Sequence, residues 1–200
     1  MLGRLKKAER TTFVIIAGCA GAGKTTVGKA VSEKMKWTYI DKDTATRQYT
    51  DFILCASGSN EGDRESEFYC EKIRPIEYDV TLKLCRENLE LGNSVVLTIP
   101  MIAVVQDFNK FSEMINKQYL DRIGVVVKFV WINHDENLEY ARVSRRNASR
   151  DRYKLANWYE YSSLIADIAP DNAFCAYIFY NEVDRNLNEE VDKLIKWIQK

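Results

Sequence analysis

Eight consecutive residues, Gly18-Cys19-Ala20-Gly21-Ala22-Gly23-Lys24-Thr25, have the types and the spacing to hold a polyphosphate. They fit the pattern G-x-x-x-x-G-K-[ST], with the apolar run Phe13 to Ala17 before them and a helix-periodic stretch after them. Gly18, Gly21 and Gly23 let the backbone turn its N–H groups inward, and the start of a helix adds its dipole to that nest. In such a loop Lys24 reaches the β- and γ-phosphates and the Thr25 hydroxyl holds Mg²⁺; Thr26 beside it joins the nucleotide-binding set. Cys19 contributes its backbone N–H, its sulfur acting only as a small filler. The expected cofactors are ATP and Mg²⁺. A glycine-rich turn that only joins a strand to a helix is the alternative, and the agreement of eight positions and both flanks weighs against it.

A phosphate loop does not by itself separate kinases from hydrolases or switches, so the other polar groups matter. Asp41 and Asp43 follow the short apolar run Trp37 to Ile40, where a second strand would end beside the loop. Phosphoryl transfer to a hydroxyl needs a carboxylate there to orient the acceptor and take its proton. The same two residues equally suit a helix cap or a solvated turn, and Asp43 can cap a helix starting at Thr44. Arg142, Arg145, Arg146, Arg150 and Arg152 crowd eleven residues, with Arg142 and Arg146 one helical turn apart. Arginines so spaced can close over the β- and γ-phosphates as a lid, here about residues 137–154, and neutralise charge in transfer. A solvated basic face paired with Glu139 is the other reading. Arg64, Glu65 and Glu67 with Arg74 would face an acceptor pocket or simply the solvent, while Lys154, Trp158 and Tyr161 lie beyond the lid. Asn181 and Glu182, after the last strand, are expected near the nucleotide base.

One expected part is missing. Val95-Val96-Leu97-Thr98 carries no aspartate where a Walker B carboxylate belongs. Magnesium then falls to Thr25, the phosphates, waters and Asp41, which weighs against a motor-type or ring ATPase.

These residues need a scaffold, and the apolar pattern provides one. Runs at Phe13 to Ala17, Trp37 to Ile40, Ser94 to Thr98, Val125 to Ile132 and Phe174 to Tyr180 read as five strands, unalternated and therefore buried on both faces. Helical patterns separate them. The first carries Val27, Ala30, Val31 and Met35; the next spans Thr44 to Cys55; a long one spans about Asp63 to Leu91, interrupted at Pro75 by a kink or as two abutting helices. Further ones carry Val104, Phe108, Phe111 and Ile115; then Asn137 to about Arg150; then Leu155, Trp158, Tyr159, Ser162 and Ile165. The last carries Leu187, Val191, Leu194, Ile195 and Ile198, with Asn188 as cap. Strands alternating with helices predict an α/β fold: a three-layer α/β/α arrangement, a five-stranded parallel sheet, and ligands at the carboxyl ends of the strands.

The 200 residues suit a single domain, 46% hydrophobic and 29% charged. Lys plus Arg equals Asp plus Glu, 29 against 29, so no global field draws the chain to nucleic acid or to a membrane surface. No apolar run approaches the roughly 20 residues of a membrane helix, and the basic start, Met1 to Arg10, lacks a signal-peptide core. The cytoplasm is the expected compartment. Five cysteines without a C-x-x-C pair, and the single His134, argue for free thiols and against structural zinc.

As a set, these features resemble the small P-loop kinases of the adenylate-kinase-like fold. Gly18 to Thr25 matches their phosphate loop. Ile40-Asp41-Lys42-Asp43 followed by Arg47 resembles the strand-end aspartate segment of polynucleotide 5′-kinases and related small-molecule kinases. That likeness implies Asp43 as base and Arg47 as a substrate contact; Asp41 and Arg64 are substrate-side candidates by their placement in the chain. Arg142 to Arg146, within Arg-Val-Ser-Arg-Arg-Asn, is similar to their lid segment and implies that Arg146 stabilises the transferring phosphoryl group. Asp63 to Ser66 through Arg74-Pro75 resembles bacterial proteins called AAA-family ATPases. The expected activity is transfer of the γ-phosphoryl group of ATP to a hydroxyl of a small molecule: a nucleoside, a sugar or an antibiotic. Its rivals are a nucleotide hydrolase or switch working through a protein partner, and a polynucleotide kinase, which would need a locally assembled basic groove.

Overall fold

The structure is a computed structural model that describes residues 10–133 and 135–200. The readings that rest on His134 and on the chain before Arg10 lie outside those residues. At the centre is β1 (Thr12–Ala17), whose six residues are all buried. A strand flanked by strands and covered on both faces has no polar side to show, which is why TFVIIA does not alternate. It pairs in parallel with β3 (Val95–Thr98) and β4 (Val126–Ile132), and the outer positions go to β2 (Thr38–Asp41) and β5 (Tyr177–Phe179). The order is β2-β3-β1-β4-β5, parallel throughout, as the strand-helix alternation predicts.

Period-two geometry sends alternate residues of β1 to opposite layers. Phe13 and Ile15 pack with Leu97, Phe111, Phe129 and Trp131 against the layer that contains α3 (Arg74–Glu90), α4 (Phe108–Met114) and α5 (Lys117–Arg122). Val14 and Ile16 pack with Val27, Val31, Val191 and Leu194, from α1 (Lys24–Met35) and α9 (Leu187–Ile198). The result is the three-layer α/β/α arrangement. The registers Ile16↔Thr98 and Asp41↔Thr98 bring the ends of β1, β2 and β3 level. Their outgoing loops therefore open on one edge.

Several local expectations are corrected. The helix after β2 is α2 (Lys42–Ala56), so it begins two residues before Thr44. The long helical stretch is not helical from Asp63: a wider π-turn, Tyr69–Ile73, runs into α3, and Pro75 sits in the first turn of α3, where its missing N–H breaks no hydrogen bond. The π-turn and α3 therefore abut just before Pro75, as two helical segments of different winding. Asn116, at φ 53°, divides α4 from α5. The arginine-rich helix α6 (Glu136–Arg146) stops where Asn147 turns left-handed at φ 46°. Arg150 and Arg152 thus fall in a 3₁₀ turn (Ser149–Asp151) and in α7 (Arg152–Ala156), ahead of α8 (Trp158–Ile165). Phe174 is apolar for packing, not for pairing: it ends a short turn and lies 5.2, 4.7 and 4.6 Å from the rings of Phe108, Phe111 and Phe129. Asn186, not Asn188, caps α9, its side chain accepting the Asn188 N–H. Among the described residues no helix is long and apolar enough to cross a membrane, and the five cysteines form no disulfide.

Candidate active site

The loop between β1 and α1 takes its shape from close approaches that only glycine allows. Gly21 has φ 83°, and a Cβ there would lie 2.7 Å from the Glu139 carbonyl of α6. Gly23 has φ 103°, and a Cβ would meet Asn181 Nδ2 at 2.1 Å. The loop is thus gripped from outside by α6 and by the segment after β5. Asn181 Nδ2 donates to Ala22 O at 2.8 Å, and Arg142 donates to Gly21 O, Ala22 O and Asn181 O. Arg142 therefore braces the loop. Inside it, Lys24 Nζ donates to the carbonyls of Gly18 and Cys19 at 2.9 and 2.7 Å. Burial lowers the Lys24 pKa, which neighbouring acids only partly oppose. The Cys19 thiol is pushed up to about 12 by burial and by Glu139, so it is inert as a nucleophile.

Asp41 and Asp43, two residues apart, serve different neighbourhoods. Asp41 caps α2: its Oδ1 accepts the Thr44 N–H at 2.8 Å, a role the sequence also allowed for Asp43. Its Oδ2 accepts from Thr98 Oγ1 at 2.7 Å and from Thr25 Oγ1 at 3.4 Å. So a carboxylate does stand beside Thr25, delivered by the end of β2 instead of β3, with Thr98 holding it. Gly28 makes this possible; a Cβ there would come within 2.4 Å of Thr98 and 2.9 Å of Tyr39. Asp43 turns the other way. It pairs with Lys42 at 3.1 Å and with Arg150 at 2.8 Å. Burial alone would raise its carboxyl, but these two cations overcome it and bring it down to about 2.

Behind Asp43 lies a buried polar hub. Glu77, 1% exposed, accepts from Lys42 Nζ (2.8 Å), Tyr69 (2.7 Å), Thr50 (2.7 Å) and Thr46 (3.2 Å). Its burial would raise its pKa, but Lys42 and the donated hydrogen bonds lower it, so it is held as an anion. Arg64 Nη2 donates to Asp51 at 2.6 Å, and Arg64 Nη1 lies 3.6 Å from Glu77. The π-turn contributes Tyr69 to this hub.

Arg146 donates through Nε and Nη2 to Asp151, both at 2.8 Å, and Asp151 is almost fully buried. Glu139 is 1% exposed beneath the loop. Arg145 and Arg146 stay accessible, and Arg47 is exposed at the cleft rim.

Two cavities meet at these residues. The larger, about 820 Å³, runs over Gly21, Gly23, Lys24, Thr25 and Thr26 to Arg47 and Arg142. The smaller, about 350 Å³, lies between α3, the π-turn and α8, with Arg64, Tyr78, Ile102, Tyr161 and Ile168 in its wall. Lys24, Asp43, Arg146 and Arg150 line both. Gly18 and Cys19 lie beneath the loop, while Ala20 donates its N–H to the Tyr161 hydroxyl at 3.1 Å, tying the loop to the wall of the smaller cavity. Asn133, Glu182 and Asn181 surround a further small recess beside Ala22. Sequence reasoning missed Lys42, Glu77 and Asp151. A lysine followed by an aspartate after a strand was the available signal for Lys42; nothing local marked the other two.

Thr25 Oγ1 and the Asp41 carboxylate are hard oxygen donors on one rim. That pair suits Mg²⁺, which takes one or two protein oxygens and keeps phosphates and waters for the rest.

Comparison with known proteins agrees with this picture. The sequence model of one family, described as AAA domain, matches residues 13–164. A cytidylate kinase of Aster yellows witches'-broom phytoplasma is 30% identical over 100 residues, 46% of this chain and 45% of that protein. The matched part thus spans less than half the length of that relative. Among solved structures, shikimate kinase from Bacteroides thetaiotaomicron superposes with a TM-score of 0.55 at 19% identity, covering 94% of this chain and 99% of that one. The Mycobacterium tuberculosis APS kinase in complex with AMPPNP and APS gives 0.57 at 15% identity, covering 96% and 99%. At those identities the likeness establishes the fold.

Proposed function

Since the chain belongs to this AAA-domain family, with the fold its structural neighbours share, we propose that it is an ATP-dependent phosphotransferase acting on a hydroxyl of a small molecule. The observation that carries this is the junction of the two cavities: an ammonium group and a carboxylate, Lys24 and Asp43, line both. The three relatives named above are kinases by name, which supports it.

The loop amides of residues 21–25 receive the β-phosphate, and Lys24 exchanges the Gly18 and Cys19 carbonyls for phosphate oxygens. Thr25 and Asp41 would hold magnesium, which when bound neutralises charge on the β- and γ-oxygens. Asp43 orients the acceptor hydroxyl. As the acceptor O–P bond forms and the bond from the γ-phosphorus to the β–γ bridging oxygen breaks, the hydroxyl proton passes to the Asp43 carboxylate. While Arg150 and Lys42 hold Asp43 near pKa 2 it accepts protons poorly, so transfer requires Arg150 to leave Asp43 for the phosphoryl group. Arg146, fixed by Asp151, stabilises the equatorial charge, and residues 137–154 act as the lid that brings both arginines in.

The test is transfer of label from γ-labelled ATP across a panel of nucleosides, sugars, aminoglycosides and oligonucleotides. A labelled small-molecule product is the expected result. Free phosphate in every case, with no labelled acceptor, would favour a hydrolase; label on oligonucleotides alone would favour a polynucleotide kinase.

A further inference from the structure

The smaller cavity holds more positive charge than its own acids can neutralise. Seven basic side chains line it against Asp43, Glu65 and Asp151. Each of those acids already has a cation: Arg150, Lys154 and Arg146 respectively. Lys42 is matched from behind by Glu77. At the far wall two arginines lie beside the Tyr69 ring, Arg64 5.2 Å and Arg74 5.8 Å from its centroid. Arg64 pairs through Nη2 with Asp51 outside the cavity, which leaves Arg74 as the guanidinium without a carboxylate among the described residues. Arg64 is nine-tenths buried, and its Nη1 has no hydrogen-bond partner among the described residues. Arg74 has no carboxylate within ion-pair distance among them. The rest of the wall is aromatic or aliphatic, including Tyr78, Tyr161, Ile102, Ile165 and Ile168.

Surplus guanidinium charge against an apolar wall favours an anion strongly, because water screens little there and the planar donor fork fits a carboxylate or phosphate. A neutral acceptor would cover Arg74 and the unpartnered Nη1 of Arg64 without compensating them. Building on the kinase reading, we propose that the acceptor is a hydroxyl compound that also carries an anionic group. Arg64 and Arg74 hold that group, the apolar body lies against Tyr78 and Ile102, and the hydroxyl is presented at Asp43. A volume of about 350 Å³ is at the lower end for small-molecule sites and suits a compact acceptor.

The experiment compares matched pairs: hydroxy acids with their amides, and phosphorylated sugars or nucleosides with their neutral parents. Transfer from labelled ATP should favour the anionic member about 100-fold in kcat/KM. Arg74→Gln should raise KM for the anionic member about 10- to 100-fold, with kcat and the KM for ATP within about twofold, and should erase the preference. Arg64 is tied to Asp51 and Glu77, so Arg64→Lys is read beside its melting temperature. Equal efficiency within pairs, or an unchanged KM in Arg74→Gln, overturns the inference while leaving the kinase reading intact. Label arriving on the anionic group itself overturns it too, since that group would then sit at Lys24. If no acceptor is labelled, the kinase reading fails. Calorimetry of the same pairs with a non-hydrolysable ATP analogue then decides the inference alone: tighter binding of the anionic member upholds it, and equal binding sinks it.

Discussion

The two ends of the proposed site are built from different materials. At the nucleotide end one continuous stretch, residues 18–25, offers backbone amides, and neighbouring side chains serve mainly to press it into shape. At the acceptor end nearly every polar contact is a side chain, and the groups come from α2, the π-turn, α3 and the segment after α6. Asp41 and Asp43 mark the divide. The difference has a physical consequence: a backbone nest tolerates side-chain change but not an added Cβ, whereas a charge network fails when one member is removed.

Asp43→Asn should separate the two ends most sharply. Transfer should fall about 10²–10⁴-fold with nucleotide affinity measured by calorimetry nearly unchanged. A parallel loss of nucleotide affinity would place Asp43 at the nucleotide end and break the division. Glu77→Gln should destabilise the fold by roughly 3 kcal/mol in denaturant unfolding, near the lower limit for a broken buried pair because Asp43 still faces Lys42. No change in the midpoint would mean that the hub does not hold the acceptor end together. Arg146→Ala should lower kcat about 10²-fold while weakening ATP binding far less, and equal losses would argue against a role confined to the transition state.

Gly23→Ala tests the other material. It should destabilise the protein by about 1–3 kcal/mol through strain at φ 103° and the clash with Asn181, and Asn181→Ala should relieve the clash alone. Full additivity of the two substitutions would show that the segment after β5 does not press on the loop. The smallest effect is the acid dependence. The folded pKa of Asp43, about 2, lies below its unfolded value, so its ion pairs contribute stability above about pH 4 that is lost as the pH falls toward 2. Arg150→Gln removes a cation that lowers this pKa, so the loss should still begin near pH 4 but be smaller and end at a higher pH when unfolding is followed against pH.

Much of this was legible in the chain. The phosphate loop and the five strands rest on contiguous patterns, where residue type and spacing carry the whole signal. Asp41 and Asp43 were both visible, yet periodicity could not say which would cap α2 and which would face the cavity. That depended on α2 starting at Lys42, a boundary two residues earlier than its apolar pattern indicates. No Walker B aspartate ends β3, and Asp41, already read from the sequence as a magnesium partner of Thr25, reaches it from the end of β2 across the sheet.

The amino-acid order alone determined the nest for phosphate and the alternation of strands and helices that implies a parallel sheet, because each of those segments is written in neighbours within a few residues of one another. Only the tertiary structure decided the acceptor end. Lys42 meets Glu77 across 35 residues and Ala20 meets Tyr161 across 141. Partnerships of that span are selected by how the helices pack on the sheet, and no local pattern encodes them.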